Sequence, residues 1–201
     1  METKVVDFNS LELINSLKKG EVACFPTETV YGLGVIFSRE KAFNALVEVK
    51  NRRPDKPFTL MLSKKDDIEK YSYISCKTKK VIEEFMPGEI TILVKPKENL
   101  FPWVTLNSKY IGIRISGNKE VCLLIEKVGE PLLVTSANIS SYPASTKYEE
   151  AYKVFNGKVP YIVKGETSSS IPSTIVICDE ELTLVRQGSI PFEKIKKVWE
   201  R

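Results

Sequence analysis

The sequence contains no histidine. A Ser-His-Asp triad, a Cys-His pair, an H-E-x-x-H zinc site and a histidine general base are therefore excluded. Reactions driven by positioning and charge stabilisation move up the order of possibilities. Cysteine is sparse as well: Cys24, Cys76, Cys122 and Cys178 lie far apart, with no C-x-x-C pair. That argues against zinc ribbons and thioredoxin chemistry. Cys24, Cys122 and Cys178 stand in apolar strings and read as core residues of a reduced, cytoplasmic protein. No stretch approaches the ~18 apolar residues of a membrane helix, and no apolar run follows a basic start. Neither a membrane span nor a signal peptide is expected. Glycine-rich phosphate cradles are missing too. Gly32 and Gly34 open a dinucleotide-type pattern, but Phe37 stands third and no G-x-x-x-x-G-K-[ST] occurs. The two glycines read as backbone clearance.

What is present is ordinary in bulk: 201 residues, 42% hydrophobic, 28% charged, net charge +4. That length buries a sizeable core, and the modest charge permits an anionic ligand without demanding one. Helical and strand patterns interleave along the chain. Leu11, Ile14 and Leu17 mark a helix over 10–19, capped by Asn9 or Ser10 and stopped by Gly20. A short buried strand runs from Val22 to Phe25. Ala42, Phe43, Leu46 and Val47 share one face of a second helix. A strand over 58–62 precedes a capping box, Ser63-x-x-Asp66. Helices at 77–86 and 118–128 alternate with strands at 90–94, 111–115 and 131–135, the last apolar enough to be buried on both faces. Thr146-x-x-Glu149 reads as the capping box of a helix over 147–156. A strand at 159–163 and a hairpin over 174–178 and 182–186 lead into a last helix with Phe192, Ile195, Val198 and Trp199 inward. The expectation is one compact α/β domain over residues 1–201, a twisted open mixed sheet with flanking helices and a basic concave cleft.

Three stretches carry chemistry. Lys50-Asn51-Arg52-Arg53-Pro54-Asp55-Lys56-Pro57 places four positive charges in eight residues, where a helix ends and a strand begins. It is either a solvated, dipole-favoured helix end or a phosphate-binding corner. Thr27-Glu28-Thr29 follows a buried strand, where open α/β sheets build sites. Ser136 to Thr146 holds more hydroxyls and amides than capping requires. Arg114, inside a strand, either faces solvent or has a partner.

These strings, taken together, resemble the YrdC-type threonylcarbamoyl-adenylate synthase family. Pro26 to Gly34 is similar to its opening motif, and Lys50-x-Arg52 with Asp55 and Pro57 to its basic motif. Pro87-Gly88-x-Ile90-Thr91, Ile113-Arg114, Ser136-Ala137-Asn138, Pro172 to Val176 and Val185-Arg186-x-Gly188-x-Ile190 follow in the family's order, so the likeness spans about residues 10–191. The resemblance implies condensation of L-threonine, bicarbonate and ATP into threonylcarbamoyl-adenylate with release of pyrophosphate. Partner proteins would then transfer the group to a tRNA adenosine beside the anticodon. Lys50 and Arg52, the catalytic pair, would grip the phosphates. Ser136, Asn138, Ser145 and Arg186 would bind ATP. Thr27, Arg114, Ser136 and Ser173 would surround threonine, Arg114 pairing its carboxylate. No residue is assigned as a metal ligand, and Mg2+ would be held mainly by the ATP phosphates.

Arg53 stands where many members have proline and adds a charge to the loop. Longer members carry a second C-terminal domain, which is not expected here. The alternative is a binding module whose basic cleft takes double-stranded or structured RNA, tRNA included, by charge and shape. A third reading, carbamoyl transfer in hydrogenase maturation, requires cysteine-rich zinc modules absent from this sequence.

Overall fold

Helix α1 (Leu11–Lys19) forms where the pattern places it. The Ser10 hydroxyl accepts from the Leu13 N–H at 3.3 Å, and Gly20 closes the helix in the left-handed region at φ 90°. Its inward face is Leu13, Ile14 and Leu17, three and four residues apart, while Leu11 stays 75% exposed. The coordinates are a computed structural model describing residues 2–52, 57–139 and 142–201. Arg53, Pro54, Asp55 and Lys56 of the basic stretch, and Ser140 and Ser141 of the hydroxyl-rich loop, lie outside the described residues.

Among the described residues the strands are β1 (Lys4–Val6), β2 (Ala23–Pro26), β3 (Tyr31–Ile36), β4 (Thr59–Leu62), β5 (Ile90–Val94), β6 (Ile111–Ile115), β7 (Leu132–Ser136), β8 (Tyr161–Val163), β9 (Thr174–Cys178) and β10 (Leu182–Arg186). They form one sheet in the order β1-β8-β2-β3-β7-β4-β6-β5-β9-β10. The sheet is mixed, as expected. Four pairings are parallel (β1–β8, β2–β8, β4–β6, β5–β9) and the other five antiparallel. The other helices are α2 (Glu40–Lys50), α3 (Ile68–Tyr71), α4 (Cys76–Phe85), α5 (Pro102–Thr105), α6 (Lys119–Val128), α7 (Tyr148–Phe155) and α8 (Phe192–Trp199). A single core of buried residues runs the length of the sheet.

The pattern misses β1, β3 and α5. β3 is hidden because glycines interrupt its apolar alternation. Those glycines are clearance, as expected: a Cβ on Gly34 would stand 2.8 Å from the Phe25 ring, and one on Gly32 3.0 Å from Val134. β2 and β3 thereby close into a hairpin around Thr27–Val30. β7 is central and antiparallel to both neighbours, with Leu132, Leu133 and Val134 buried.

Two capping boxes need correction. At Ser63-x-x-Asp66 a 3-10 turn, Lys65–Asp67, begins with no side-chain cap, because the box needs a full α-helical first turn. At α7 the closing acid is Glu150, not Glu149. The helix starts one residue later than expected, and the Glu150 carboxylate accepts from the N–H groups of Thr146 (2.8 Å) and Lys147 (3.4 Å).

Candidate active site

Helix α2 ends in a way that fixes the first half of the site. Asn51 takes the left-handed conformation (φ 48°, ψ 53°) and stops the helix directly after Lys50. Lys50 is only 4% exposed. Its ammonium donates to the Ser136 carbonyl at 2.5 Å, to the Ser136 hydroxyl at 3.3 Å and to Asn138 Oδ1. The Ser136 hydroxyl also donates to Asn138 Oδ1 at 2.7 Å, while the Asn138 amide holds the carbonyls of Ile139 and Tyr142. The end of β7, the start of the hydroxyl-rich loop and the end of α2 are thus tied by one cation. Desolvation, with the Arg52 charge nearby, pulls the Lys50 pKa down to about 8. Arg52 Nη1 reaches the Thr135 hydroxyl at 3.5 Å, and its guanidinium lies 5.3 Å from the centre of the Phe58 ring.

The second half is built on β6 and the β2–β3 turn. Arg114 is 7% exposed, so it is not the solvent-facing residue that strand alternation allowed. Its Nη2 donates to Glu28 Oε1 at 2.7 Å and to the Thr29 hydroxyl at 2.9 Å. Ser116 donates to the other Glu28 oxygen. Thr27 makes the turn itself: its hydroxyl donates to the Val30 carbonyl at 2.7 Å and accepts from the N–H groups of Thr29 and Val30. From the far side, Ser173 pairs with Thr91 through their hydroxyls at 3.0 Å. Arg186 donates through Nε and Nη2 to the Ser173 carbonyl, at 3.1 and 2.8 Å. Desolvation and the neighbouring Arg114 charge lower the Arg186 pKa. Gly188 permits this closeness, since a Cβ there would stand 2.2 Å from the Pro172 carbonyl oxygen.

Both groups meet at one cleft of about 670 Å³. Thr27, Arg52, Arg114, Ser136, Asn138, Ser173 and Arg186 all line it, and its charged lining residues among those described are the three arginines. Two expected residues sit differently. Lys50 is not on the wall but bonds to Ser136 and Asn138, which are. Ser145 is buried, its backbone bridging Ala137 and Tyr31, and Tyr142, Pro143 and Ala144 face the cleft instead.

Residues 15–188 match the Sua5/YciO/YrdC family, described as telomere recombination. The chain belongs to this family. The Bacillus subtilis threonylcarbamoyl-AMP synthase is 32% identical over 186 residues, 90% of this chain and 54% of its own. A Methanocaldococcus jannaschii protein, named provisionally for the same activity, is 35% identical over 96% of this chain and 90% of its own. The crystal structure of P. abyssi Sua5 complexed with L-threonine superposes with a TM-score of 0.91 at 27% identity, over 98% of this chain and 61% of that one. The chain therefore spans nearly all of one relative but little more than half of the B. subtilis and P. abyssi proteins.

Within this Sua5/YciO/YrdC fold, sequence reasoning missed Ser116 and Thr135, and it placed Thr29 and Thr91 in motifs without giving either a role. Each is a single hydroxyl in a strand or turn, made meaningful only by a partner from a distant segment. If Ser136 and Asn138 bind a nucleotide, changing both to alanine should lower ATP affinity about tenfold or more, at ~1–1.5 kcal/mol per lost hydrogen bond. Calorimetric titration with ATP measures it. Unchanged affinity with a large fall in melting temperature would make the pair structural.

Proposed function

We propose that the protein condenses L-threonine, bicarbonate and ATP into L-threonylcarbamoyl-adenylate and pyrophosphate, as a nucleotidyltransferase. The observation that carries this reading is the single cleft that gathers Lys50-linked Ser136 and Asn138, Arg52, Arg114, Ser173 and Arg186, all from motifs far apart in sequence. The names of the relatives and the threonine complex of P. abyssi Sua5 support it.

The chemistry suits a chain without histidine. The threonine amine attacks carbon dioxide and forms a carbamate, losing a proton to solvent; from bicarbonate the same carbamate forms when a C–O bond breaks and the amine proton leaves with the hydroxyl as water. A carbamate oxygen then attacks the α-phosphorus in line, the bond to the bridging oxygen breaks, and pyrophosphate leaves. The protein's share is placement and charge neutralisation. In this reading Arg52 grips the phosphates from the cleft wall, and the Lys50 ammonium supplies its charge from behind Ser136 and Asn138. Ser136, Asn138 and Arg186 hold the nucleotide, Ser145 supports their loop through its backbone, and Arg114 receives the threonine carboxylate beside Thr27 and Ser173. Thr27 contributes its placement more than its hydroxyl, which the turn already uses. No cluster of three His, Cys, Asp or Glu side chains able to hold a metal occurs among the described residues. A donor set of arginines and hydroxyls fits Mg2+ only as a companion of the ATP phosphates, where it would neutralise their charge.

The product would go to proteins that transfer threonylcarbamoyl to tRNA. Four free cysteines among the described residues suit a reducing cytoplasm, and no helix among those residues is long and apolar enough to cross a membrane. The relatives' names do not speak for direct contact with tRNA or double-stranded RNA, and Arg53 and Lys56, half of the charges that suggested it, lie outside the described residues. The test is pyrophosphate release from ATP with each substrate omitted in turn. Release is expected only with both L-threonine and bicarbonate present, because the attacking carboxylate does not exist until both combine. Serine should substitute poorly, by about 10–200-fold for its missing methyl, and valine worse. Release that ignores threonine would overturn the synthase reading.

A further inference from the structure

Glu28 has no place in the reaction as proposed, yet it is closely engaged beside the cleft. One carboxylate oxygen receives Arg114 Nη2 at 2.7 Å, and the other accepts from Ser116. The Gly117 backbone N–H lies close enough to favour the charged carboxylate. The loop closes tightly over this carboxylate: a Cβ on Gly117 would stand 3.3 Å from Glu28 Cγ. A carboxylate so enclosed is a poor general base. Burial alone would raise its pKa, but the Arg114 charge and the donors from Arg114, Gly117 and Ser116 hold it below the usual carboxylate range.

The other side of the pair is more informative. Arg114 makes its two hydrogen bonds through one nitrogen, Nη2, to Glu28 and Thr29. Nε is enclosed without a hydrogen-bond partner. Arg114 nonetheless lines the cleft, and Nη1 is the nitrogen left to meet it. The guanidinium is therefore anchored from behind and presented at the front. A long, flexible side chain held in this way binds a carboxylate without first losing its rotational freedom.

We infer that Glu28 is a positioning residue of the amino-acid site: by holding Arg114 Nη2 it sets the guanidinium so that Nη1 presents to the carboxylate of an amino-acid ligand, which Glu28 itself does not touch. The inference rests on the reading that Arg114 meets the threonine carboxylate. Ser116 and Gly117 act a step further back, orienting Glu28. Glutamine at 28 is a poor substitute. Its carbonyl can still accept from Arg114, but the charge that pairs with the guanidinium is gone, and the oxygen that accepted from Ser116 becomes an NH2 donor.

The experiment is calorimetric titration of wild type, Glu28→Gln and Ser116→Ala with L-threonine, with L-threoninamide, which lacks the carboxylate, and with ATP. Wild type should bind threonine and not the amide. Glu28→Gln should bind threonine at least tenfold more weakly with ATP affinity unchanged within twofold, and Ser116→Ala should shift threonine alone, in the same direction and by less. Unchanged threonine affinity in Glu28→Gln, or equal losses for threonine and ATP, would overturn the inference. If Glu28→Gln does not fold, Ser116→Ala decides, and a normal threonine affinity there overturns it. Wild type that binds threonine but releases no pyrophosphate would sink the synthase reading alone, with the role of Glu28 still read from the same titrations. Wild type that binds no threonine would overturn both.

Discussion

Replacing Arg52 with alanine should cripple pyrophosphate release at less cost to the fold than replacing Lys50, which should damage both. Only Asn51 separates the two residues in sequence, but their surroundings differ. Arg52 lines the cleft, with a long contact to Thr135 and a loose approach to the Phe58 ring. Such contacts are worth no more than about 1 kcal/mol. A lost charge-assisted phosphate contact costs ~1.5–3 kcal/mol, or roughly ten- to hundredfold in kcat/KM for ATP. Lys50 reads from sequence as a surface cation, but it is buried and supplies donors to the Ser136 carbonyl and Asn138 Oδ1. Alanine there leaves acceptors without a donor, at ~1–3 kcal/mol. At ~2–4 °C per kcal/mol for a chain of this size, the melting temperature should fall by several degrees as well.

The same pair predicts a pH effect. With its pKa at about 8, the Lys50 ammonium loses its charge as pH rises through that value, and kcat/KM for ATP should fall with it. Arg52→Ala removes one cause of the depression and should move the fall to higher pH. Thermal melts beside pyrophosphate assays across pH measure all of this. Full activity in Arg52→Ala would return the basic stretch to a solvated helix end, and an unchanged melting temperature in Lys50→Ala would contradict the burial argument.

The contrast between Lys50 and Arg52 shows where the sequence could be read and where it could not. α1, α6 and the β9–β10 hairpin follow from local pattern, because caps, glycine stops and alternation are contained within each segment. Part of the cleft lining was legible too, since unusual residues such as Arg114 and the hydroxyls after β7 stand out against strand composition. Pairing was not. That Lys50 faces inward, that Glu28 meets Arg114 across 86 positions, and that Arg186 clasps the Ser173 carbonyl depend on strand order. The order β3-β7-β4-β6-β5-β9 places neighbours from opposite ends of the chain side by side. No periodicity encodes such an arrangement.

The last expectation concerns the buried pair. Arg114→Ala should abolish threonine-dependent turnover and also destabilise the protein strongly near neutral pH. Glu28 would be left as an enclosed carboxylate, its side chain only 12% exposed. Removing one partner of a buried ion pair typically costs ~3–5 kcal/mol. In wild type the folded-state pKa of Glu28 lies below its unfolded value, so the stability it contributes is present above the unfolded pKa. That stability is lost as pH falls through the folded pKa. In Arg114→Ala the guanidinium is gone and burial pushes the pKa up, so the sign reverses: the variant is penalised above the unfolded pKa and relieved on acidification. The gap in melting temperature between the two proteins should therefore be wide at about pH 7 and narrow toward about pH 4–5. The double variant Arg114→Met with Glu28→Gln removes both charges. It should recover much of the lost stability, because a neutral, well-filled site avoids the desolvation penalty, and should recover none of the threonine-dependent pyrophosphate release. A gap that stays constant with pH would mean that Glu28 is not the group left stranded. A double variant that regains activity along with stability would mean that Arg114 serves the fold and not the ligand.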